Sequence, residues 1–299
     1  MANGCRPWLR TLSEYAASLA IVLVITQCPL HAQNKESAAD LQRRLLQDAV
    51  THPGDEAKVN ALINSLVEIP KGSGQYIVEG DIALSRDEIV SYLRDFGTPP
   101  PIKVEELIVN AVNGQADYLK TAQQRKLTYA MAPETFPDQG SADRTKANFV
   151  KAAADWVNAC PECGVSFTEV APRDAYFVIK YVNFSDGTVA KSFFPSSATN
   201  ERVLNVYTPY LSPDLQFDSV GVLRHEIGHI LGYRHEHIQN IPGCYMEGTD
   251  WLPVTPYTPN SVMHYFCGGR GSLDLALRDS DVKGHRCLYT TGKACPPTK

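Results

Sequence analysis

The stretch HEIGHILGYRHEH, residues 225–237, places four histidines, two glutamates and two glycines within thirteen positions. A core helix with only a packing role would not contain so many ionisable groups, because taking an unpaired charge out of water is costly. A fully solvated helix would have no use for the apolar residues Ile227, Ile230 and Leu231 that lie between the histidines. The stretch therefore predicts a largely buried helix whose polar side chains share one task.

The first two histidines have the spacing of a pair on one helical face. A helix over residues 220–231 is predicted, with Asp218 or Ser219 as its amino-terminal cap. His225 and His229 are four residues apart, so their side chains project from the same side of that helix. Two imidazoles at this separation can reach one metal ion, and Zn²⁺ prefers nitrogen or sulfur ligands in a tetrahedral arrangement.

The neighbouring residues complete a hydrolytic zinc site. Glu226 points about 100° around the helix from His225, from where it can accept a proton from a metal-bound water without ligating the metal. Gly232 suits the left-handed position that ends a helix, and the turn frees His235 to return as the third nitrogen ligand. His237 is interpreted as an exposed bystander. A surface histidine cluster on a capped helix is the alternative interpretation.

Composition and charge limit the partners of the chain. Of the 299 residues, 43% are hydrophobic and 20% are charged, which is typical of a globular protein with one large or two modest domains. The formal net charge is −5, and no run of Lys or Arg exceeds two residues. Binding to nucleic acid or to an anionic membrane surface is therefore not expected.

Residues 1–32 are typical of a signal peptide. Arg6 and Arg10 precede the apolar run YAASLAIVLVIT, which is short for a membrane span. Leu30 and Ala32 then occupy the −3 and −1 positions of a signal-peptidase site. We expect a secreted or periplasmic protein with no stable membrane association after cleavage, and an uncleaved anchor is the alternative. No pattern indicates the oligomeric state.

Six cysteines remain after removal of the signal, and an even number in an exported chain indicates disulfides. Cys160 and Cys163 form a CPEC sequence. A local disulfide is favoured there over a redox pair or half of a zinc knuckle, because no second CxxC and no βαβ pattern accompany it. The other predicted pairs are Cys244 with Cys267 and Cys287 with Cys295.

The rest of the chain divides into two parts. Residues 33–122 are polar and mostly helical in pattern, and the stiff TPPP at 98–101 is a candidate hinge. From residue 123 onwards, a strand, a helix, further strands and the 220–231 helix indicate an α+β fold with a mixed sheet packed on helices. The first of these helices has one predicted apolar face, made of Phe149, Val150, Ala153, Trp156 and Val157.

HEIGHILGYRH, residues 225–235, resembles the extended zinc motif H-E-x-x-H-x-x-G-x-x-H of the metzincin metallopeptidases. SVMHY at 261–265 resembles the methionine turn of that family, which implies that Met263 forms the apolar floor of the site. The astacin form of this turn implies that Tyr265 approaches the zinc ion and stabilises the transition state; a core tyrosine is the alternative. Glu236 also matches astacins, in which this glutamate pairs with the buried amino terminus of the mature enzyme.

The resemblance extends over about residues 123–290. The HEIGH wording and the short chain are similar to bacterial dual-action HEIGH metallopeptidases, while LTYAM, GTVAKSFFP and DSDVKGHRCLY resemble the core of matrixins. The resemblance implies a catalytic domain over residues 123–299, with a twisted mixed five-stranded sheet packed on the active-site helix. GTVAKSFFP would be the edge strand, along which a protein or peptide substrate binds as an extended strand.

A further resemblance lies upstream, in the segment predicted to be a propeptide. VEGDI at 78–82 is similar to the F-x-G-D element of astacin propeptides, in which the aspartate ligates zinc and keeps the enzyme latent. Carried over, Asp81 would displace the catalytic water in the latent form; an ordinary surface turn is the alternative. No cysteine lies between residues 33 and 159, which excludes a cysteine switch in this segment.

The sequence thus predicts an exported zinc endopeptidase made as a zymogen, with Zn²⁺ held by His225, His229 and His235, Glu226 as general base and Tyr265 assisting. A thermolysin-type site would instead take a downstream glutamate as the third ligand. A purely structural zinc site is disfavoured, because three ligands leave a coordination position open. A catalytically inactive protein of the same fold, used for binding or adhesion, would not need Glu226.

Overall fold

The computed structural model describes seven stretches of the chain, all within the unit Glu36–Lys299. They are residues 38–68, 71–77, 83–95, 107–185, 188–236, 250–264 and 271–296. The predicted signal peptide, the Asp81 segment, Tyr265 and the predicted Cys244–Cys267 pair lie outside these stretches.

The described stretches contain seven α-helices and eleven strands. The helices are α1 (Ala38–Thr51), α2 (Glu56–Ser65), α3 (Arg86–Asp95), α4 (Gln139–Ala159), α5 (Thr208–Leu211), α6 (Ser219–Ile230) and α7 (Asp279–Thr291). The strands are β1 (Val67–Glu68), β2 (Gln75–Ile77), β3 (Ala83–Ser85), β4 (Ile108–Val112), β5 (Gln115–Ala116), β6 (Lys126–Met131), β7 (Ser166–Glu169), β8 (Phe177–Val182), β9 (Ala190–Lys191), β10 (Val203–Tyr207) and β11 (Trp251–Pro253).

The amino-terminal helices α1, α2 and α3 share a small core of their own. Asp55 begins α2 by accepting hydrogen bonds from the N–H groups of Ala57 and Lys58 at 3.0 and 3.3 Å. The buried apolar residues of the three helices are Leu46, Ala49, Val59, Leu62, Ile63, Ile89 and Leu93. Strands β1, β2 and β3 form an antiparallel sheet, so the segment predicted to be mostly helical also contains a small sheet.

The main sheet has five strands in the order β7-β6-β8-β10-β9. Strand β6 pairs in parallel with β7 and β8, and β8 pairs in parallel with β10, whereas β9 is antiparallel to β10. The predicted mixed five-stranded sheet is therefore confirmed. Strand β9, which lies within GTVAKSFFP, occupies the edge of the sheet.

Helix α4 packs against α6, the helix that carries the first two motif histidines. Trp156 of α4 is fully buried, and its Nε1 donates a hydrogen bond to the carbonyl of Arg224 on α6 at 2.8 Å. The guanidinium of Arg224 also forms an ion pair with Asp155 of α4 at 2.6 Å. These contacts fix α6 to α4 along the side of α6 that Trp156 covers.

The apolar face of α4 is narrower than the sequence predicted. Phe149, Ala153 and Trp156 are buried, but Val150 is 49% exposed. Residues three, four and seven positions after Phe149 follow the helical repeat, whereas Val150 is rotated by about 100° from it. Its side chain therefore leaves the buried face.

The hairpin of β4 and β5 is packed into the same core as α6. Strand β4 pairs with β5 on one side and with β11 on the other. Leu107, Ile108 and Val109 are at most 1% exposed, and the N–H of Arg234 donates to the carbonyl of Ile108 at 3.0 Å. The hairpin precedes residue 122, the predicted boundary between propeptide and catalytic domain, and it contacts the chain that follows α6. The boundary itself stays a prediction.

Two of the predicted disulfides, Cys160–Cys163 and Cys287–Cys295, are confirmed. Disulfides form and persist in oxidising compartments, so both agree with the predicted export. Among the described stretches, no helix is both long enough and apolar enough to cross a membrane.

An aromatic cluster, consisting of Trp156, Tyr233, His285 and Tyr289, lies behind the end of α6. The rings of Trp156 and Tyr233 stack with centroids 5.6 Å apart and an angle of 10°. The hydroxyl of Tyr233 lies 2.9 Å from Nδ1 of His285, and the hydroxyl of Tyr289 donates to the carbonyl of Leu231 at 2.8 Å. The cluster thereby connects α4 and α7 to the residues that follow α6.

The buried imidazole of His285 should make the stability of the fold depend on pH. Burial, and secondarily the charge of Arg125, lowers the pKa of His285 from 6.5 to about 3. Between these values the unfolded chain binds a proton that the folded chain excludes, so the free energy of unfolding falls as the pH drops, by up to about 1.4 kcal/mol per unit. We expect His285→Gln to lose this part of the slope.

The measurement is urea unfolding of the wild type and of His285→Gln at a series of pH values across that range. His52→Gln, which changes an exposed histidine of the same chain, is the matched control and should keep the wild-type slope. Equal slopes for the wild type and His285→Gln would contradict the assignment.

Candidate metal centre

Helix α6 holds three of the predicted site residues in the interior. It spans Ser219–Ile230, within one residue of the prediction at each end, and Asp218 caps it by accepting from a backbone N–H of the first turn at 2.6 Å. His225, Glu226 and His229 are at most 3% exposed. Burial of its apolar residues, Leu223, Ile227 and Ile230, keeps the helix against the core.

The turn after α6 depends on Gly232. Its φ is +103°, a conformation that side chains other than glycine rarely adopt. A Cβ at this position would lie 2.2 Å from the carbonyl oxygen of Asp117. The N–H of Gly232 donates to the carbonyl of His229 at 2.8 Å, and its own carbonyl accepts from the N–H of Asn110 at 2.7 Å. The chain thereby reverses and returns His235 towards the helix.

The three motif histidines converge on one point. Nε2 of His235 lies 3.1 Å from Nε2 of His225 and 3.1 Å from Nε2 of His229. All three ligand atoms lie within 4.8 Å of one another, and His235 is fully buried. The structure therefore brings together the residues that the sequence predicted as metal ligands.

Backbone carbonyls fix the orientation of two of these imidazoles. Nδ1 of His225 lies 2.7 Å from the carbonyl oxygen of Val262, and Nδ1 of His229 lies 2.8 Å from that of Tyr233. A carbonyl can only accept a hydrogen bond, so each Nδ1 carries the proton and each Nε2 presents its lone pair. A second partner of this kind is usual for metal-bound histidines.

This donor set fits a zinc ion. Tetrahedral coordination with Zn–N distances near 2.0–2.1 Å places the ligand nitrogens about 3.3–3.4 Å apart. The separations of 3.1 Å from His235 to each helix histidine are close to that value. Three nitrogen ligands leave the fourth tetrahedral position open, which is the arrangement of catalytic rather than structural zinc sites.

Glu226 is not one of the three residues whose nitrogens converge. It follows His225 on α6 and is 2% exposed. One residue along a helix is a rotation of about 100°, so its carboxyl group leaves the helix in a direction different from those of His225 and His229. A carboxylate in this position can exchange protons with a water held at the metal.

Met263 is fully buried next to α6, and a glycine of the motif makes room for it. A Cβ on Gly228 would lie 2.3 Å from the sulfur of Met263 and 3.5 Å from the ring of Trp156. The methionine therefore approaches the helix backbone between the turns that carry His225 and His229. The role of Met263 as the apolar floor of the site stays a prediction.

The loop that carries Met263 is anchored by an aspartate from α7. Asp281 is fully buried; its carboxylate accepts from the hydroxyl of Ser261 at 2.6 Å and from the N–H of Val262 at 3.1 Å. The hydroxyl of Ser261 also accepts from the N–H of Met263 at 3.0 Å. Because the carbonyl of Val262 contacts His225, Asp281 supports a candidate metal ligand through a single residue, Val262.

Glu236 forms a second buried carboxyl group under the site. Its N–H donates to the carbonyl of Met263 at 2.9 Å, and its Oε1 accepts from the N–H of Thr258. Burial, and secondarily the charge of Asp281, raises the pKa of Glu236 well above its ordinary value. Within the described residues, Oε2 of Glu236 is buried without a hydrogen-bond partner.

The structure adds residues that the sequence analysis did not single out. Asp281 and Ser261 hold the methionine loop, and the carbonyls of Val262 and Tyr233 orient the imidazoles. An acidic residue in the first turn of a helix gave a signal for Asp281, but only as a helix-stabilising residue. The predicted roles of Tyr265 and Asp81 lie outside the described residues.

Comparison with known proteins finds only distant structural similarity. No protein-family model and no curated protein matches the sequence. A structure of myroilysin is 16% identical with a TM-score of 0.42, over 61% of this chain and 98% of that one. The GM1-bound form of the ECX AB5 holotoxin is 16% identical with a TM-score of 0.43, over 62% and 88%. Scores this low do not establish a shared fold.

Replacing Gly232 should damage both the fold and the metal site. Gly232→Ala places a Cβ in a strained conformation and against the carbonyl of Asp117, so the turn that presents His235 must shift. We expect the free energy of unfolding to fall by at least about 2 kcal/mol. Backbone strain alone should account for about half of this loss. Zinc affinity should fall by more than tenfold, on the order of the effect of losing a supporting contact.

Chemical unfolding and competition with a chromophoric chelator measure these two effects. Gly54→Ala is the matched control, because a Cβ at this exposed glycine meets no atom within 4 Å. Wild-type zinc affinity in Gly232→Ala would show that the turn does not position His235.

Proposed function

We propose that this chain is an exported zinc-dependent endopeptidase of the metzincin type. The observation that carries the proposal is the convergence of three buried Nε2 atoms, two of them oriented by backbone carbonyls, beside a buried carboxyl group. The open tetrahedral position supports hydrolysis over a purely structural role. A secreted or periplasmic location follows from the predicted signal peptide and agrees with the two disulfides.

The proposed mechanism assigns one task to each residue around the metal. When bound, Zn²⁺ supplies a Lewis acid that polarises the scissile carbonyl and lowers the pKa of a bound water to about 7. Glu226 accepts the proton released as the water attacks and returns it to the leaving amine. Tyr265 donates a hydrogen bond to the developing oxyanion. Met263 keeps the base of the site apolar and fixed.

The edge strand of the main sheet is the proposed docking site for the substrate. Strand β9 ends the sheet, and Phe194, three residues after β9, places its ring edge-on to His229 with centroids 5.6 Å apart. A peptide that adds to this edge as an extended strand is thereby led past the metal ligands. Recognition through the backbone favours protein and peptide substrates over small amides.

The amino-terminal segment is proposed to keep the enzyme inactive in its zymogen form. Ile77, the last residue described before the VEGDI element, is 6% exposed and is buried against Tyr207 at the end of β10. This contact ties the segment to the main sheet one residue before residues 78–82. In the proposed latent form, Asp81 would displace the catalytic water.

Activation by proteolysis would require a cut before the β4 hairpin. Strand β4 pairs with β11 and is packed in the core of α6, so a cut near residue 122 would remove part of that core. Residues 96–106, which include the TPPP sequence, are the proposed region for the activating cut. They lie between α3 and the first buried residue of the hairpin, Leu107.

The alternative is a protein of the same fold that binds partners without cleaving them. The buried Glu226 argues against it, because a binding protein gains nothing from a desolvated carboxyl group beside a metal. A thermolysin-type site is disfavoured by the position of His235, whose Nε2 lies 3.1 Å from those of both helix histidines.

Substitution of the general base tests the enzyme against the binding protein. Glu226→Gln keeps the shape of the side chain but cannot accept a proton, so hydrolysis of casein and of a quenched peptide should fall by about 10²–10⁴-fold. Zinc content and unfolding midpoint should stay near those of the wild type. Glu134→Gln, at an exposed glutamate, is the control. Removal of zinc by a chelator should abolish activity, and added Zn²⁺ should restore it.

Retention of more than a tenth of the activity in Glu226→Gln would reject this mechanism. Absence of hydrolysis by the wild type, in full-length and shortened forms with zinc bound, would favour the binding protein.

Removal of the amino-terminal segment tests the zymogen. A form that begins at residue 102 keeps the β4 hairpin and should hydrolyse casein at least about tenfold faster than the full-length chain. In the full-length chain Asp81 is tethered to the enzyme, so its effective concentration at the metal is high and it should inhibit strongly. Asp81→Ala in the full-length chain should raise its activity towards that of the shortened form. Asp87→Ala, at an exposed aspartate of α3, should not. Equal activity in both lengths would reject the switch and leave the peptidase intact.

A further inference from the structure

A depression of about 260 Å³ lies between the hairpin of β4 and β5 and the chain that follows β9. Val112 and Pro195 contribute apolar surface to its wall, and Val112 is 42% exposed. Asp117, Lys120 and Ser196 contribute polar groups. The mechanism described above makes no use of this depression or of the groups that line it.

Asp117 is fixed in the wall of the depression by three hydrogen bonds to one oxygen. Its Oδ2 accepts from the hydroxyl and the N–H of Ser196 at 2.6 and 3.2 Å, and from the amide of Asn110 at 2.9 Å. Its N–H donates to the carbonyl of Asn110 at 2.8 Å. Among the described residues, Oδ1 of Asp117 receives no hydrogen bond. The carboxylate is therefore held in place with one oxygen available to a ligand.

The depression lies within reach of a substrate that is bound at the metal. The ring of Phe194 contacts His229. Ser196 is two residues beyond Phe194, so the Cα atoms of Phe194 and Ser196 are at most about 7 Å apart. An extended peptide advances about 3.3 Å per residue, so we expect the depression to lie two to four residues from the scissile bond. If the peptide runs antiparallel to β9, as β10 does on the other side, its amino-terminal part lies towards Ser196.

The charges around the depression favour a long cationic side chain. The apolar wall suits an aliphatic stem, and Oδ1 of Asp117 suits a guanidinium or ammonium group at the end of it. Lys120 is the opposing charge, but its Nζ lies over the ring of Tyr118, 5.9 Å from the centroid. It is exposed and screened by solvent, whereas Asp117 is half-buried and held by Ser196 and Asn110.

We propose that this depression is a specificity subsite that selects an arginine or lysine side chain two to four residues before the bond that is cut. The inference rests on the proposed peptidase function and adds a substrate class to it. Asp117 acts there by direct contact with the substrate, and Ser196 and Asn110 position its carboxylate.

The test uses quenched peptides that place Arg, Leu or Glu at each of these positions in turn. They are cleaved by whichever of the full-length chain and the form that begins at residue 102 hydrolyses casein. At one position Arg should give kcat/KM about tenfold above Leu, the effect expected of one charge-assisted hydrogen bond. Asp117→Asn keeps an oxygen for Ser196 and Asn110 but removes the charge, so this ratio should fall to near one.

Two further variants make the result specific to the subsite. Lys120→Ala removes the opposing charge and should raise the Arg-to-Leu ratio, and Asp214→Asn, at an exposed aspartate that does not line the depression, should leave the ratio unchanged. A wild type without preference for Arg, or with preference for Glu, would overturn the proposal. Equal losses on every peptide in Asp117→Asn would do the same, because they indicate a structural role. Failure to cleave any peptide would instead reject the peptidase itself.

Discussion

The left-handed turn at Gly232 is the constraint on which the candidate metal centre depends. Two ligands come from one helix and need only helical spacing, but the third comes from a chain that must reverse within a few residues. The backbone of Asp117 leaves no space for a side chain at Gly232, and the N–H of Asn110 holds its carbonyl. The hairpin that contains Asn110 and Asp117 therefore determines where His235 lies.

The remaining supports come from parts of the chain that are distant in sequence. The carbonyls of Val262 and Tyr233 orient two imidazoles, Asp281 of α7 holds the loop before Met263, and the aromatic cluster packs behind Tyr233. Each support is a backbone hydrogen bond or a buried contact. Supports of this kind keep the imidazoles of His225 and His229 oriented towards the point on which the three histidines converge.

The site could be predicted from the sequence more completely than its supports. The sequence was sufficient to predict His225, His229 and His235 as ligands, because helical periodicity and a terminating glycine are local signals. Asp281 was not, since its contact with Ser261 depends on tertiary packing. The hairpin was missed although its Asn113-Gly114 turn is a strong local signal, with φ of 51° and 72°. The polar composition on either side concealed a strand whose burial depends on the core around α6 and on pairing with β11.

The pairing of β4 with β11 has a consequence for the order in which the molecule is built. The core of α1, α2 and α3 joins neighbours in the sequence, whereas β4 must wait for a partner near the other end of the unit. Loop closure over such a span makes this contact a late event. If the chain is exported with its amino terminus first, as the predicted signal peptide implies, the small helical core can form while β11 and α7 are still to emerge. Met263 and Asp281, which complete the candidate metal centre, would then be placed last, outside the compartment of synthesis.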